Sequence, residues 1–474
     1  MSWLNIIFVI YQIVVILAVI HVILDNRQPA KTMAWALVIY FVPVVGIVFY
    51  LFFGINTRKE RYVSDRSMNQ LAKRSMLEFA EQENLKLPEQ HKPLIDLFIS
   101  QNLSLPFKDN QVDIHTDGYS FFMALLADMK QARSHIHIDM YIFAEDALGS
   151  LVADALIDKS REGVEVKLIY DDVGCWNVSH RFFERMREEG IEVVSFLPVH
   201  FPSFTSKVNY RNHRKIIVID GLAGYIGGMN IALRYVKGTD EQPWRDTMLR
   251  LQGPIVYSLQ RAFLVDWYFV DRTLITNRDY YPAYTSQSLL TSCVAQVVTS
   301  SATARYPEIM QGFVRAITAA RRYIYLETPY FIPNEPVLFA LKTATVAGVD
   351  VRILCPRHSD ARFTEWASRS YLRELHEAGA KVFLYEPGFM HSKLMVIDDA
   401  LVTCGSTNAD FRSFENNFEA NVFIYDQGTA LRLKKVFLDD QSLSVALENV
   451  ASWMRPKFFP RLWESLTRMI SPLL

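Results

Sequence analysis

HRKIIVIDGLAGYIGGMN, residues 213–230, recurs in altered form as HSKLMVIDDALVTCGSTN, residues 391–408. The shared residues keep one offset of 178 positions: His213 and His391, Lys215 and Lys393, Asp220 and Asp398, Gly227 and Gly405, Asn230 and Asn408. One His-x-Lys alone carries little information; the doubled, spaced set marks an internal repeat. The apolar runs after each lysine, IIVI and LMVI, read as buried strands. Alternate side chains of a strand share a face, so His213 projects with Lys215 and His391 with Lys393, while Arg214 and Ser392 point the other way. Asp220 and Asp398 fall in the turns that end these strands, and the glycines with Asn230 and Asn408 lie just past a returning strand.

The repeat extends outward. HIHIDMYIF (135–143) alternates like a half-buried strand and is echoed by YIYLETPYF (323–331). Each follows an amphipathic helical stretch, and each precedes a helix and a short strand, in GVEVKLIYDD from Gly163 and GVDVRILCPR from Gly348. A further helix and strand follow, ending in EEGIEVVSFLP and EAGAKVFLYEP. Strands separated by helices of this length predict α/β units with helices covering a sheet. Two α/β sandwich halves result, residues 95–285 and 286–450, with the joint near 275–295. If they pack about a pseudo-two-fold axis, they form one catalytic unit with both motifs in one cleft.

The rest of the 474 residues bounds the class. Half are apolar, 21% are charged and the net charge is −1. That excludes a disordered chain and a disulfide-dependent miniature, and it creates no global field for nucleic acid. The mean hydropathy of +0.07 is high for a purely soluble protein, and the excess sits at the N-terminus. Residues 3–24 and 32–53 contain no charge, and about 20 apolar residues suffice to cross a bilayer. A two-helix transmembrane hairpin is therefore expected over 1–56, followed by a basic juxtamembrane linker over 57–94. Arg58, Lys59, Arg61, Arg66, Lys73 and Arg74 outnumber Arg27 and Lys31 of the connector, which places the catalytic halves on the cytoplasmic side of a multi-pass protein. Cys175, Cys293, Cys355 and Cys404 are scattered and read as buried thiols. Residues 451–474 form an amphipathic C-terminal segment, suited to a membrane interface or to packing on the catalytic unit.

Two imidazoles, two ammonium groups and two carboxamides suit a phosphodiester. One histidine attacks phosphorus while the other protonates the leaving oxygen. Lys215, Lys393, Asn230 and Asn408 would hold the non-bridging oxygens. The small residues Gly227, Gly228, Gly405 and Ser406 would admit phosphate to the backbone, with Ser406 counted among the phosphate ligands. A metal is disfavoured because each imidazole has an ammonium two residues away. Elsewhere, His135 and His137 read as a packed strand, Asp171-Asp172 as a turn, and residues 207–215 as a basic loop.

HxKxxxxD followed by G-[GS]-x-N resembles the phospholipase D superfamily. RQPAKTMAW, VPVVGIVFYLFFG, YRNHRKIIVIDG, WASRSYLRELHEAGAKVFLYEPGFMHSK and the terminal SPLL are similar to its bacterial cardiolipin synthases. That resemblance implies transfer of a phosphatidyl group between two phosphatidylglycerol molecules through a phosphohistidine, without a cofactor. It also implies anionic membrane lipids as partners, no nucleic acid, and a place in the bacterial cytoplasmic membrane. By analogy His213 is the nucleophile and His391 the acid that becomes the base, although sequence symmetry alone does not decide between them. Asp220 and Asp398 complete the catalytic motif, but their position favours bracing the turns. Asp246 and Glu419 match the acids that orient the histidines, often from the opposite half. Carboxylate and lysine together would leave each histidine titrating near neutrality. A membrane-bound hydrolase, another phosphatidyltransferase, a nuclease and an inert membrane binder remain as alternatives. The pI of 6.8 opposes the nuclease.

Overall fold

The uncharged run at the N-terminus forms one helix, Trp3–Asp25, in a computed structural model that describes residues 3–25, 29–54, 85–199, 209–239, 242–284 and 293–471. Its 21 residues Asn5–Asp25 are long and apolar enough to cross a membrane. The second run departs from the expected single span. It folds as two helices, Pro29–Phe41 and Pro43–Phe53, with Val42 between them at φ −134° and ψ 64°. Pro43 lacks an N–H, and its ring excludes the helical conformation from the residue before it, so one helix stops and another starts. Trp35, Ile39 and Tyr50 of the broken pair bury against Val15 and Val22. The expected basic cluster between Arg58 and Arg74, residues 207 and 208 at the start of the 207–215 loop and residues 285–292 of the joint lie outside the described residues.

Each half builds its own sheet, and the two share one strand order. In the first, the strand order is Gln111–His115, Met248–Gln252, Ala223–Gly227, Lys215–Ile219, His135–Met140, Glu165–Asp171, Glu192–Phe196. The last three run parallel, because the helices Ala147–Arg161 and His180–Glu188 carry the chain back between them. The second half repeats this order from Ala295–Ser300 to Lys381–Tyr385 and adds Ser444–Ala446 at its edge. In each half the His-x-Lys strand runs antiparallel to the central strand, pairing Lys215 with Met140 and Leu394 with Glu327. Both motifs therefore begin at the C-terminal ends of the parallel strands, where open α/β sheets place their ligands.

Apolar residues on the two inner faces join the halves. Ile216, Val218 and Ile226 share one buried cluster with Val396, Val402 and Val422, while separate clusters underlie the outer helices of each half. One boundary differs from expectation. The helix Lys92–Asn102 straddles residue 95, the expected start of the first half, yet Leu94, Ile95 and Phe98 belong to the second half's outer cluster. Phe98 packs against Phe423 with ring centroids 4.6 Å apart. An apolar helix face in the sequence does not name its partner; the sheet that lacks a cover claims it.

Candidate active site

Short parallel pairings carry each histidine to the other half. Phe389 and Met390 pair with Trp244 and Arg245, and the backbone N–H of His391 donates to the Arg245 carbonyl at 2.7 Å. The mirror arrangement bridges Asn212 and Phe418, with the His213 N–H donating to the Phe418 carbonyl at 2.9 Å. The next residue after each carbonyl is an acid. His213 Nδ1 meets Glu419 Oε1 at 3.0 Å, and His391 Nδ1 meets Asp246 Oδ2 at 2.6 Å. A carboxylate only accepts, so Nδ1 holds the proton in the neutral His213 ring and Nε2 is left for substrate. His391 Nδ1 also lies 3.0 Å from Lys393 Nζ, and its shorter 2.6 Å contact with Asp246 assigns it the proton in the same way.

The lysines sit beneath their histidines. Lys215 Nζ donates to the His213 carbonyl at 2.6 Å and lies 5.0 Å from the Tyr141 ring centre. Lys393 donates to the His391 carbonyl and stands 3.9 Å from Asp246. Burial pushes Lys215 down to about 7, with Glu419 opposing and Lys393 assisting; Lys393 is lowered too, chiefly by burial. Burial also takes His213 down to about 4 against the pull of Glu419. His391 falls to about 3, through burial first and then Lys393, against Asp246. Burial thus favours the neutral form of both imidazoles. The expectation of titration near neutrality weighed carboxylate against lysine and had no access to burial, which outweighs both.

His213, His391, Asn230 and Asn408 border one cavity of about 730 Å³. The Asn230 amide accepts the Ile142 N–H at 3.1 Å and donates to the Tyr235 hydroxyl at 2.7 Å. Asn408 Oδ1 is buried without a hydrogen-bond partner among the described residues. Ser406 is not part of the lining. Its hydroxyl bonds the Glu419 carboxylate and accepts the Ala420 N–H at 3.0 Å, so it steadies the acid that holds His213. The small residues serve the same end rather than phosphate access. A Cβ on Gly228 would lie 2.1 Å from Asp246 Oδ1, and one on Gly405 2.2 Å from the Ala420 carbonyl. They let the acid-bearing strand approach.

Asp220 and Asp398 stand at the far ends of the motif strands and do not line the cavity. Asp220 accepts the N–H groups of Arg133, Ser134 and His135 at 2.8–3.0 Å. Asp398 accepts those of Arg321, Arg322 and Tyr323 at 2.7–2.8 Å. They brace turns and do not join the chemistry. Asp220→Ala is expected to cost about 2–3 kcal/mol of stability, since three donors lose a charged acceptor. Thermal unfolding together with kcat of the surviving folded enzyme checks this; a lost kcat with unchanged stability would reverse the assignment.

Some supporting residues escaped the sequence reading. The Tyr141 ring stands edge-on 4.8 Å from His213, and Trp244 lies 5.3 Å from His391. Tyr141 and Tyr330 both line the cavity, and both occur in the repeated strings ending YIF and PYF, which was the available signal. Asp171 accepts the Asn212 N–H at 2.9 Å and pairs with Arg211 at 3.3 Å, fixing the segment that enters the first motif. Arg214 pairs with Asp266, and Arg245 with Asp440 at 2.7 Å; both ion pairs are buried and join segments more than 50 residues apart. No local spacing announces them.

Comparison with known proteins places this geometry in a family. Residues 125–267 and 313–441 match the family described as "Cardiolipin synthase, PLD-like domain". Residues 13–54 match "Phospholipase D-nuclease N-terminal". The chain is 37% identical over 472 residues to the major cardiolipin synthase ClsA of Bacillus subtilis, covering 97% of each chain. It is 39% identical over 472 residues to the cardiolipin synthase of Alkalihalophilus pseudofirmus, covering 98% of this chain and 93% of that one. Among solved structures, the phosphatidylserine synthase of Haemophilus influenzae superposes with a TM-score of 0.61 at 14% identity, over 81% of this chain and 100% of that chain. That last likeness concerns the fold alone.

Proposed function

Because the chain belongs to the cardiolipin synthases of the phospholipase D superfamily, we propose that it moves a phosphatidyl group from one phosphatidylglycerol to another, giving cardiolipin and glycerol. The observation that carries this reading is the crossed pair of histidine–carboxylate contacts on one cavity. His213 Nε2 attacks phosphorus, the bond from phosphorus to the glycerol oxygen breaks, and His391 protonates that oxygen. Glycerol leaves and His391 is neutral. A hydroxyl of the second phosphatidylglycerol then attacks phosphorus as His391 removes its proton, and the phosphorus–nitrogen bond breaks to restore His213. Asn408 stabilises the non-bridging oxygens as charge accumulates, and Lys215 and Lys393, which lie behind the histidines and off the cavity lining, assist through their charge. Asn230 does so if its bond to Tyr235 yields. Glu419 and Asp246 hold the rings and offset the imidazolium charge.

The Trp3–Asp25 helix anchors the enzyme in the bilayer that contains its substrate, with the proline-broken pair beside it. The basic residues after position 57 support a cytoplasmic position for the catalytic halves. Purified enzyme with phosphatidylglycerol in mixed micelles should release glycerol and form cardiolipin. Phosphatidic acid as the main product would instead make it a hydrolase, and cleavage of single-stranded DNA would make it a nuclease.

The depressed basicity of His391 has a measurable consequence. The acid role needs a proton on His391, which burial disfavours at pH 7. An anionic phosphate counteracts burial and raises the basicity of His391 and Lys215, so binding takes up protons. Titration calorimetry of inorganic phosphate in buffers of different ionisation enthalpy should give an uptake of roughly one to two protons. Affinity should weaken as pH rises above neutrality. Zero uptake at pH 7 would remove His391 as the first-step acid.

A further inference from the structure

The helix Phe458–Ile470 presents its faces in the reverse of the usual order. Glu464, Thr467 and Ser471, spaced as one helical face, are buried. Glu464 pairs with Arg373 at 2.5 Å, Arg468 pairs with Glu374, and the Ser471 hydroxyl meets that of Tyr371 at 3.1 Å. All three partners belong to the helix Arg362–Glu377. The opposite face carries Phe459, Leu462, Trp463, Leu466, Met469 and Ile470, with exposures from 40% at Ile470 to 71% at Phe459. A helix on a water-facing surface buries its apolar stripe; this one spends ion pairs on the protein and turns the stripe outward.

Charge and position identify the occupant of that stripe. Arg455, Lys457 and Arg461 are exposed beside it, and the only acid in residues 451–474 is the buried Glu464. An apolar face flanked by basic groups and free of exposed acids complements an anionic lipid surface. The helix also ends at the catalytic cavity, whose lining includes Ser471 together with Phe363 and Thr364 of the supporting helix. We infer that Phe458–Ile470 lies in the surface layer of an anionic bilayer and holds the mouth of the catalytic cavity against the lipid. Its docking shortens the path by which a lipid headgroup reaches His213 and His391 while the acyl chains stay in the membrane. This concerns how the site meets the bilayer and goes beyond the transfer chemistry.

The test reads position, not turnover. The four native cysteines are buried, so a fluorophore can be attached selectively to Leu466→Cys in the full chain. The labelled protein is reconstituted into vesicles of phosphatidylglycerol and phosphatidylcholine. Acyl-brominated lipid should quench this label strongly and aqueous iodide should not, whereas a control label at Leu151→Cys should show the opposite. Iodide quenching of the Leu466 label without lipid quenching overturns the inference. Protection from both quenchers, with cross-linking between labelled chains, assigns the face to a second copy and overturns it equally. As a second arm, the Leu462→Glu/Leu466→Glu variant should lose about tenfold in rate on vesicle-embedded phosphatidylglycerol. Its rate on monomeric short-chain phosphatidylglycerol should stay within about twofold; equal loss on both substrates counts against the coupling. A wild-type enzyme that converts neither substrate refutes the proposed function and leaves the quenching result to stand by itself.

Discussion

His213→Ala is expected to lower phosphatidyl transfer by about 10⁴-fold or more, because it removes the atom that forms the covalent bond to phosphorus. His391→Ala should cost about 10²–10⁴-fold, the usual range for removing a general acid or base. The two losses differ in kind. Brief reaction with phosphorus-labelled phosphatidylglycerol should trap an acid-labile adduct on the wild-type chain. His213→Ala should give none. His391→Ala should still form the adduct slowly and then retain it, since the hydroxyl of the second lipid is no longer deprotonated. Retention of label in His213→Ala with loss in His391→Ala would exchange the two roles, and an unlabelled wild type would end the covalent mechanism. The crossed geometry supports the comparison. Both rings have a carboxylate at Nδ1 and sit on the same cavity, so neither loss reduces to a merely misplaced neighbour.

The second large effect comes from the acids. Glu419→Gln and Asp246→Asn keep the shape of each side chain and remove its charge. An amide can present its N–H₂ to Nδ1 and so favour the tautomer that carries the proton on Nε2, where the nucleophile needs a lone pair. A loss of about 10³-fold in kcat is expected for each, by analogy with the buried acid of hydrolase triads. The assignment to halves is the discriminating part. Glu419 belongs to the second half yet holds His213, so Glu419→Gln should suppress adduct formation. Asp246 belongs to the first half yet holds His391 and stands 3.9 Å from Lys393, so Asp246→Asn should slow departure of glycerol and turnover of the adduct. If each variant instead impairs the step served by the histidine of its own half, the crossed arrangement is not the one that works. Gly228→Ala tests the same acid from the other side: its Cβ would lie 2.1 Å from Asp246 Oδ1, and displacing that carboxylate should reproduce the Asp246→Asn phenotype.

The histidines, the lysines and the duplicated succession of strands and helices along the chain were legible because they depend on local spacing. His-x-Lys puts two side chains on one face of any strand, and a run such as IIVI can only be buried. The fate of the remaining motif residues was not local. Ser406, Gly228 and Gly405 read as phosphate-facing small residues until the neighbouring strand came within contact distance and required their size. Asp220 and Asp398 share a motif with the catalytic pairs but stand at the opposite ends of the strands, because a strand carries its two ends well apart. The break at Pro43 was written in the chain, since proline forbids the preceding helical residue; hydropathy averaged over 22 positions does not register it.

By itself, then, the sequence determined that two like halves exist, that each offers one His–Lys face, and that an apolar helix precedes them. Only the tertiary structure decided which acid holds which histidine, that burial lowers the basicity of both rings, and that the C-terminal helix turns its apolar side outward. The physical reason is common to all three. Periodicity is a property of neighbours along the chain, whereas burial and partnership belong to surfaces that meet across hundreds of residues. Glu419 finds His213 only because Phe418 and Asn212 pair across the two halves.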